Sequence, residues 1–236
     1  MSRSLPVTVT YFSDVLCIWA YAAQVRLLEV SRQFGDDVRI DHQCCSVFGN
    51  TADRIGQDWA EKGGYPGFNR HLRQVGRRFE HINVHPEVWL TTRPASSDSA
   101  HVFVKAIQLV GNENGDDEAH ANGAEFESVS ARFTWELRCA FFEECRDVST
   151  RAVQYEIAEK LHVSRAAIQA RLDSGAAFAA LAADYQRCER YRVEGSPTFV
   201  LNQGRQKLYG NVGYRVIEAN IRELLHTPGI GEMSWC

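Results

Sequence analysis

Tyr11-Phe12-Ser13-Asp14-Val15-Leu16-Cys17-Ile18-Trp19-Ala20-Tyr21 joins two different hydrophobic periods and places one thiol at the junction. Upstream, Leu5 to Phe12 alternates Val7, Val9 and Tyr11 against Thr8, Thr10 and Phe12, the β-branched and aromatic pattern of a strand covered on both faces. Downstream, Trp19, Ala22, Ala23, Leu27 and Val30 recur at spacings of three and four until Gly35, which predicts a helix from about Ile18. Val38 to Cys45 then reads as a second strand. Strand, helix, strand within one sheet implies a right-handed crossover and parallel pairing, so Cys44 and Cys45 are expected at the same sheet edge as Cys17. A thiol at a helix start meets unpaired backbone N–H groups and the positive end of the helix dipole, both of which favour its thiolate. An interaction of up to about 2 kcal/mol would bring an ordinary thiol, near pH 8.5, toward neutrality.

Composition narrows the partners. The chain has 236 residues, 44% of them hydrophobic and 11% aromatic, enough for one large domain or two small ones. A balance of 26 basic against 30 acidic side chains gives a net charge of −4, which advertises neither nucleic acid nor an anionic membrane surface. Met1 to Pro6 runs into the strand pattern without an apolar leader segment, and no apolar run reaches membrane-spanning length, so a soluble, cytoplasmic protein is expected. Seven cysteines, an odd number, fit free thiols in a reducing compartment better than a disulfide framework. Their spacing matches no zinc knuckle, and His81 and His85 lack the adjacent glutamate of a metalloprotease helix; no metal and no tightly bound cofactor is expected.

From Gly49-Asn50 onward the pattern is helical for most of the next 140 residues. Phe68, Leu72, Val75 and Phe79 form an apolar stripe, while Arg70, Arg73, Arg77 and Arg78 lie mostly off it as a solvated face, with anion binding as the alternative. Val84 to Ser99, with Pro86 and Pro94, reads as an irregular connection whose length calls for function or for packing over another surface. Ser97 or Ser99 would cap the next helix, Gly111 to Gly123 would be a surface loop, and Phe126 to Phe141 a long helix. Ser149, Ser164 and Ser174 would cap three more. Thr198 to Leu201, a turn at Asn202-Gln203-Gly204, and Arg205 to Tyr209 make a hairpin before a final helix after Gly213. The sum is α/β: a thioredoxin-like four-stranded mixed sheet from residues 1–49 and 191–236, with a large all-helical insertion at 50–190.

Ser13 to Tyr21 resembles the active-site segment of the DsbA-like thioredoxin family, and Gly195-Ser196-Pro197-Thr198-Phe199-Val200 resembles its cis-proline loop. Cys139 to Glu144 through Asp147-Val148 is similar to part of the helical insertion of cytosolic members: FrnE-like oxidoreductases, kappa-class glutathione transferases and hydroxychromene-carboxylate isomerases. The resemblance spans essentially the whole chain. It implies Cys17 as nucleophile and the backbone of Ser196, beside Pro197, as the partner of an extended peptide or of glutathione. The dithiol members carry Cys-x-x-Cys, whereas Ala20 stands at the second position here. A mixed disulfide on Cys17 then needs glutathione, or a distant thiol such as Cys44 or Cys45, to resolve it; both cysteines also read as small buried hydrophobes. Trp19 and Tyr21 would line the cleft or belong to the core, and Asp14 would cap the helix or tune the thiol. Where kappa-like and isomerase-like members hold the glutathione amine with an aspartate, this chain offers Asn211. The implied activity is a one-thiol thiol–disulfide oxidoreductase using glutathione as cosubstrate on a small-molecule or protein disulfide. The alternatives are a glutathione-dependent transferase or isomerase of an aromatic compound, and a redox-inactive binding module; homodimer formation is left open.

Overall fold

A computed structural model describes residues 6–114 and 128–226. Strand β1 (Val7–Ser13) leads through helix α1 (Ile18–Phe34) to strand β2 (Val38–Cys44). β1 and β2 pair in parallel, Val7 against Val38 and Ser13 against Cys44, as the crossover argument requires. Gly35, at φ +48°, ends α1 by donating to the Ser31 carbonyl. Strand β3 (Thr198–Leu201) pairs antiparallel with β1, and β4 (Gln206–Tyr209) pairs antiparallel with β3. The sheet order is β2-β1-β3-β4, a four-stranded mixed sheet with the strand before Cys17 inside it.

One face of the sheet packs Val7, Val9, Tyr11 and Phe199 against Leu27 and Val30 of α1 and against Ile217, Ile221 and Leu224 of a C-terminal helix. The opposite face buries Phe12, Cys45 and Val200 under Cys188, Tyr191 and Val193. Between β2 and β3 the chain builds α2 (Gly64–Gly76), α3 (Asp98–Asn114), α4 (Val129–Phe142), α5 (Arg151–Lys160), α6 (Arg165–Asp173) and α7 (Ala176–Arg190); α8 (Tyr214–His226) follows β4. These inserted helices share one apolar core with Val15 to Ala22, so the start of α1 is built into the insertion as well as the sheet.

Several local expectations change. α3 extends through Asn114, so Gly111 to Asn114 are helical; residues 115–127, including Phe126 and the rest of the expected loop, lie outside the described residues. The connection after Val84 is irregular, yet its Trp89 is fully buried, stacked on Phe48 and edge-on to Phe141, so its length serves packing. Ser164 caps α6 by accepting the Ala167 N–H. α5 instead begins after Thr150, where Ser149 bonds to Asp147, and α7 begins after the left-handed Gly175.

Candidate functional site

Residues 14–17 form a tight turn because Asp14 holds both ends of it. Its carbonyl accepts the Cys17 N–H at 3.2 Å, and its Oδ1 accepts the Leu16 N–H at 2.8 Å. Cys17 then takes extended backbone angles immediately before α1, and its carbonyl accepts the first helical N–H, from Tyr21, at 3.0 Å. The thiol is thereby turned toward the far end of the chain: Cys17 Sγ donates to the Ser196 carbonyl at 3.2 Å. The Ser196 hydroxyl accepts the Asp14 N–H at 2.9 Å, and the Ser196–Pro197 peptide bond is cis. Pro197 in turn accepts the Gly210 N–H at 2.8 Å, which brings the exposed Asn211 to the same loop. Cys17, Asp14, Ser196 and Pro197, up to 183 positions apart in sequence, therefore meet at one end of the sheet, with Asn211 one residue beyond the Gly210 that bonds to Pro197.

The thiol's electrostatics differ from the expectation. Cys17 is 5% exposed, and burial pushes its pKa above the ordinary thiol value. Contact with Ser196 and the N–H groups of Ala20 and Trp19 pull it down, but they do not overcome desolvation, and the Asp14 carboxylate adds to the rise. The helix-start effect is present and loses to burial. At rest Cys17 is a neutral thiol donating to a carbonyl.

Asp14 neither caps α1 nor acts mainly on the thiol. It is fully buried, and its Oδ2 accepts the N–H groups of Val47 and Phe48 and the Ser97 hydroxyl, at 2.8–2.9 Å. His101, one turn into α3, accepts the Val15 N–H on Nε2 at 3.1 Å, with that nitrogen 3.7 Å from Asp14 Oδ1. Its Nδ1 faces Asp98 at 3.7 Å; contact with His101 and hydrogen bonds from Tyr185 and Ser46 hold the Asp98 carboxyl down at about 2 despite burial. The insertion thus grips the turn before Cys17 through Ser97 and His101. Nothing local in the sequence marks either residue for this, because their partners are more than 80 positions away.

Tyr21 is no cleft residue. It is fully buried, stacked on Phe142 at 5.1 Å and packed on Trp135, with its hydroxyl donated to Glu143. Trp19 is half-buried and edge-on to Phe79 at 6.3 Å, facing the insertion. Cys44 and Cys45 do reach the Cys17 end of the sheet, where both are buried and burial raises both thiols. Their surroundings are those of small core hydrophobes, with Cys45 packed against Phe12 and Val200. Ala20 is fully buried beside the thiol.

The sequence matches the DSBA-like thioredoxin domain over residues 8–222. The chain belongs to that family. No curated protein matches it by sequence. Among solved structures, the cytosolic disulfide reductase DsbM of Pseudomonas aeruginosa is similar at 18% identity and a TM-score of 0.62, over 91% of this chain and 98% of that one. A 2-hydroxychromene-2-carboxylate isomerase is similar at 18% identity and a TM-score of 0.60, over 94% and 97%. Oxidised BdbD of Bacillus subtilis is similar at 13% identity and a TM-score of 0.57, over 95% and 90%. These likenesses describe a fold shared by disulfide oxidoreductases and an isomerase. Within the DsbA-like frame, this member carries Cys17 against Ser196, with Ala20 in place of a second thiol. Among the described residues, no helix is long and apolar enough to cross a membrane.

Proposed function

We propose that this chain is a cytoplasmic thiol–disulfide oxidoreductase working through Cys17 alone, with glutathione as the thiol that completes its cycle. The observation that carries the reading is the Cys17 thiol, at the start of α1, donating to the Ser196 carbonyl while Ala20 removes the usual internal resolver. A glutathione-bound structure of DsbM, similar to this chain at 18% identity with a TM-score of 0.60, supports the choice of thiol.

The resting thiol must first lose its proton to solvent, a step that burial opposes. Docking of an extended disulfide on the Ser196 backbone competes for the carbonyl that now holds the S–H and draws Sγ out toward the incoming sulfur. The Cys17 thiolate attacks the glutathionyl sulfur of a mixed disulfide; that S–S bond breaks, a Cys17–glutathione disulfide forms, and the departing thiolate takes a proton. A second glutathione, as thiolate, attacks the glutathionyl sulfur on Cys17, giving glutathione disulfide and returning the Cys17 thiol after protonation. Reduction of a glutathionylated peptide, assayed with excess glutathione, tests this; activity that survives Cys17→Ser refutes it.

The neutral state of Cys17 favours one second reading, a glutathione-dependent isomerase or transferase in which the thiol donates a hydrogen bond to a bound glutathione thiolate. In that case glutathione binds, no covalent adduct forms at Cys17, and an aromatic substrate is converted.

A further inference from the structure

The chain is acidic overall, yet from Lys62 to Phe79 it carries Lys62, Arg70, Arg73, Arg77 and Arg78 with no aspartate or glutamate among them. The four arginines are exposed, and none has an ion-pair partner among the described residues. Arg70 and Arg73 of α2, and Arg77 just past its end, follow at three and four positions, so they share one side of the helix over about 10 Å. At the end of that face a hollow of about 340 Å³ is lined by Arg73, Arg77, Phe79 and Asn83, with Glu80 as the carboxylate on its wall. Arg26 of α1 stands on the same aromatic ring, its guanidinium 6.0 Å from the centre of Phe79. One Arg26 nitrogen, Nη1, is buried with no hydrogen-bond partner. The hollow adjoins the start of α1, because Phe79 meets Trp19, two residues beyond Cys17, edge to face.

Arg73 and Arg77, two unpaired cations against the single carboxylate of Glu80, give this hollow an excess of positive charge that a negatively charged ligand would neutralise. We infer that the Arg73 and Arg77 surface docks an acidic segment of a polypeptide substrate, at a hollow that Phe79 and Trp19 join to the start of α1, where the thiol that acts on the substrate stands. Arg73 and Arg77, four residues and about 6 Å apart along the helix, suit an extended chain, whose alternate side chains lie about 7 Å apart, so that two carboxylates engage them at once. This rests on the proposed disulfide chemistry for its purpose, but not for its test. Ion pairs at a rim set encounter and orientation, so the surface selects which disulfide reaches Cys17 and leaves the exchange step itself unchanged.

The direct test measures fluorescence anisotropy of a labelled glutamate-rich peptide with the Cys17→Ser chain, where no disulfide can form. Binding is expected to weaken with salt and to fall about fivefold to tenfold in the Arg73→Gln/Arg77→Gln double variant, while Arg32→Gln, a control at a residue paired with Glu29 elsewhere on the surface, leaves it unchanged. No binding at low salt, equal binding to the double variant, or displacement by millimolar reduced glutathione overturns the inference. In a second arm, Cys17 of the unaltered chain is reacted with a glutamate-flanked peptide disulfide and its glutamine analogue. The acidic peptide is expected to react faster, an advantage that the double variant loses; equal rates overturn the inference. If Cys17 forms no adduct with any disulfide, the proposed chemistry is what fails, and the anisotropy result still decides the docking surface.

Discussion

Ser97, the residue before α3, donates its hydroxyl to Asp14 Oδ2 at 2.8 Å, three residues ahead of the thiol. That contact, with the two backbone N–H groups from Val47 and Phe48, makes Asp14 the point where sheet, insertion and the Cys17 turn are tied together. Ser97→Ala removes one of these bonds and is expected to cost about 1 kcal/mol. Asp14→Ala strands several buried donors at once and should cost well over about 3 kcal/mol in urea unfolding. Equal costs for the two variants would contradict this assignment.

Burial raises the Cys17 thiol above its ordinary value, so its thiolate fraction is small at neutral pH and grows with alkalinity. Alkylation at Cys17 by iodoacetamide, followed by mass spectrometry, should accelerate about tenfold per pH unit from roughly pH 6 to 8. A plateau near neutrality would instead mean that the helix start wins over desolvation.

Lys105 and Asp184 form a buried ion pair at 2.9 Å, and Asp184 also accepts the Cys44 N–H at 2.8 Å, joining α3 and α7 to the end of β2. Burial raises the Asp184 pKa against the attraction of Lys105. A carboxyl with a raised folded-state pKa contributes stability that is full below its unfolded value, about 3.9, and is lost as pH rises through the folded one. Lys105→Met should therefore cost about 3–5 kcal/mol near neutrality, and that loss should shrink on acidification toward about pH 4 as Asp184 takes a proton. Urea unfolding at several pH values checks the sign.

Tyr21 fills core space between α1 and α4, so Tyr21→Phe should cost about 1 kcal/mol through its lost bond to Glu143 and leave Cys17 alkylation unchanged. Tyr21→Ala should cost about 3–5 kcal/mol. A selective loss of glutathione binding in Tyr21→Phe would restore Tyr21 to the cleft.

The parts of this account legible from the residues are those set by local pattern. The alternation of Val7 to Phe12, the period from Ile18 and the stop at Gly35 lead to β1, α1 and their parallel partner. The family resemblance at both ends of the chain pointed to the meeting of Cys17 with Ser196. What the sequence hides is set by contacts between distant residues. Asp14 has the look of a cap because its partners at Val47, Phe48 and Ser97 are not local, and the Tyr21 ring is claimed by Trp135 and Phe142 of the insertion. The same burial inverts the Cys17 argument: a helix start is visible in one dimension, and the desolvation that outweighs it is not. Ser149 and Ser174 differ for a local reason: their hydroxyls bond to Asp147 and Arg171, and Thr150 and Gly175 hold the cap positions beside them.

Ala20→Cys places a second thiol on the first turn after Cys17. The double-thiol variant should reduce a peptide disulfide stoichiometrically without glutathione, which the unaltered chain should not do. Because Ala20 is fully buried, the added sulfur should also lower stability by about 1–3 kcal/mol.

The most direct test is intact-mass and peptide mass spectrometry of the unaltered chain and of Cys17→Ser after incubation with glutathione disulfide. One glutathione is expected at Cys17, released by reduced glutathione, with no adduct at that site in Cys17→Ser. An unmodified Cys17, or a Cys17 disulfide with Cys44 or Cys45, would contradict a glutathione-resolved single-thiol cycle.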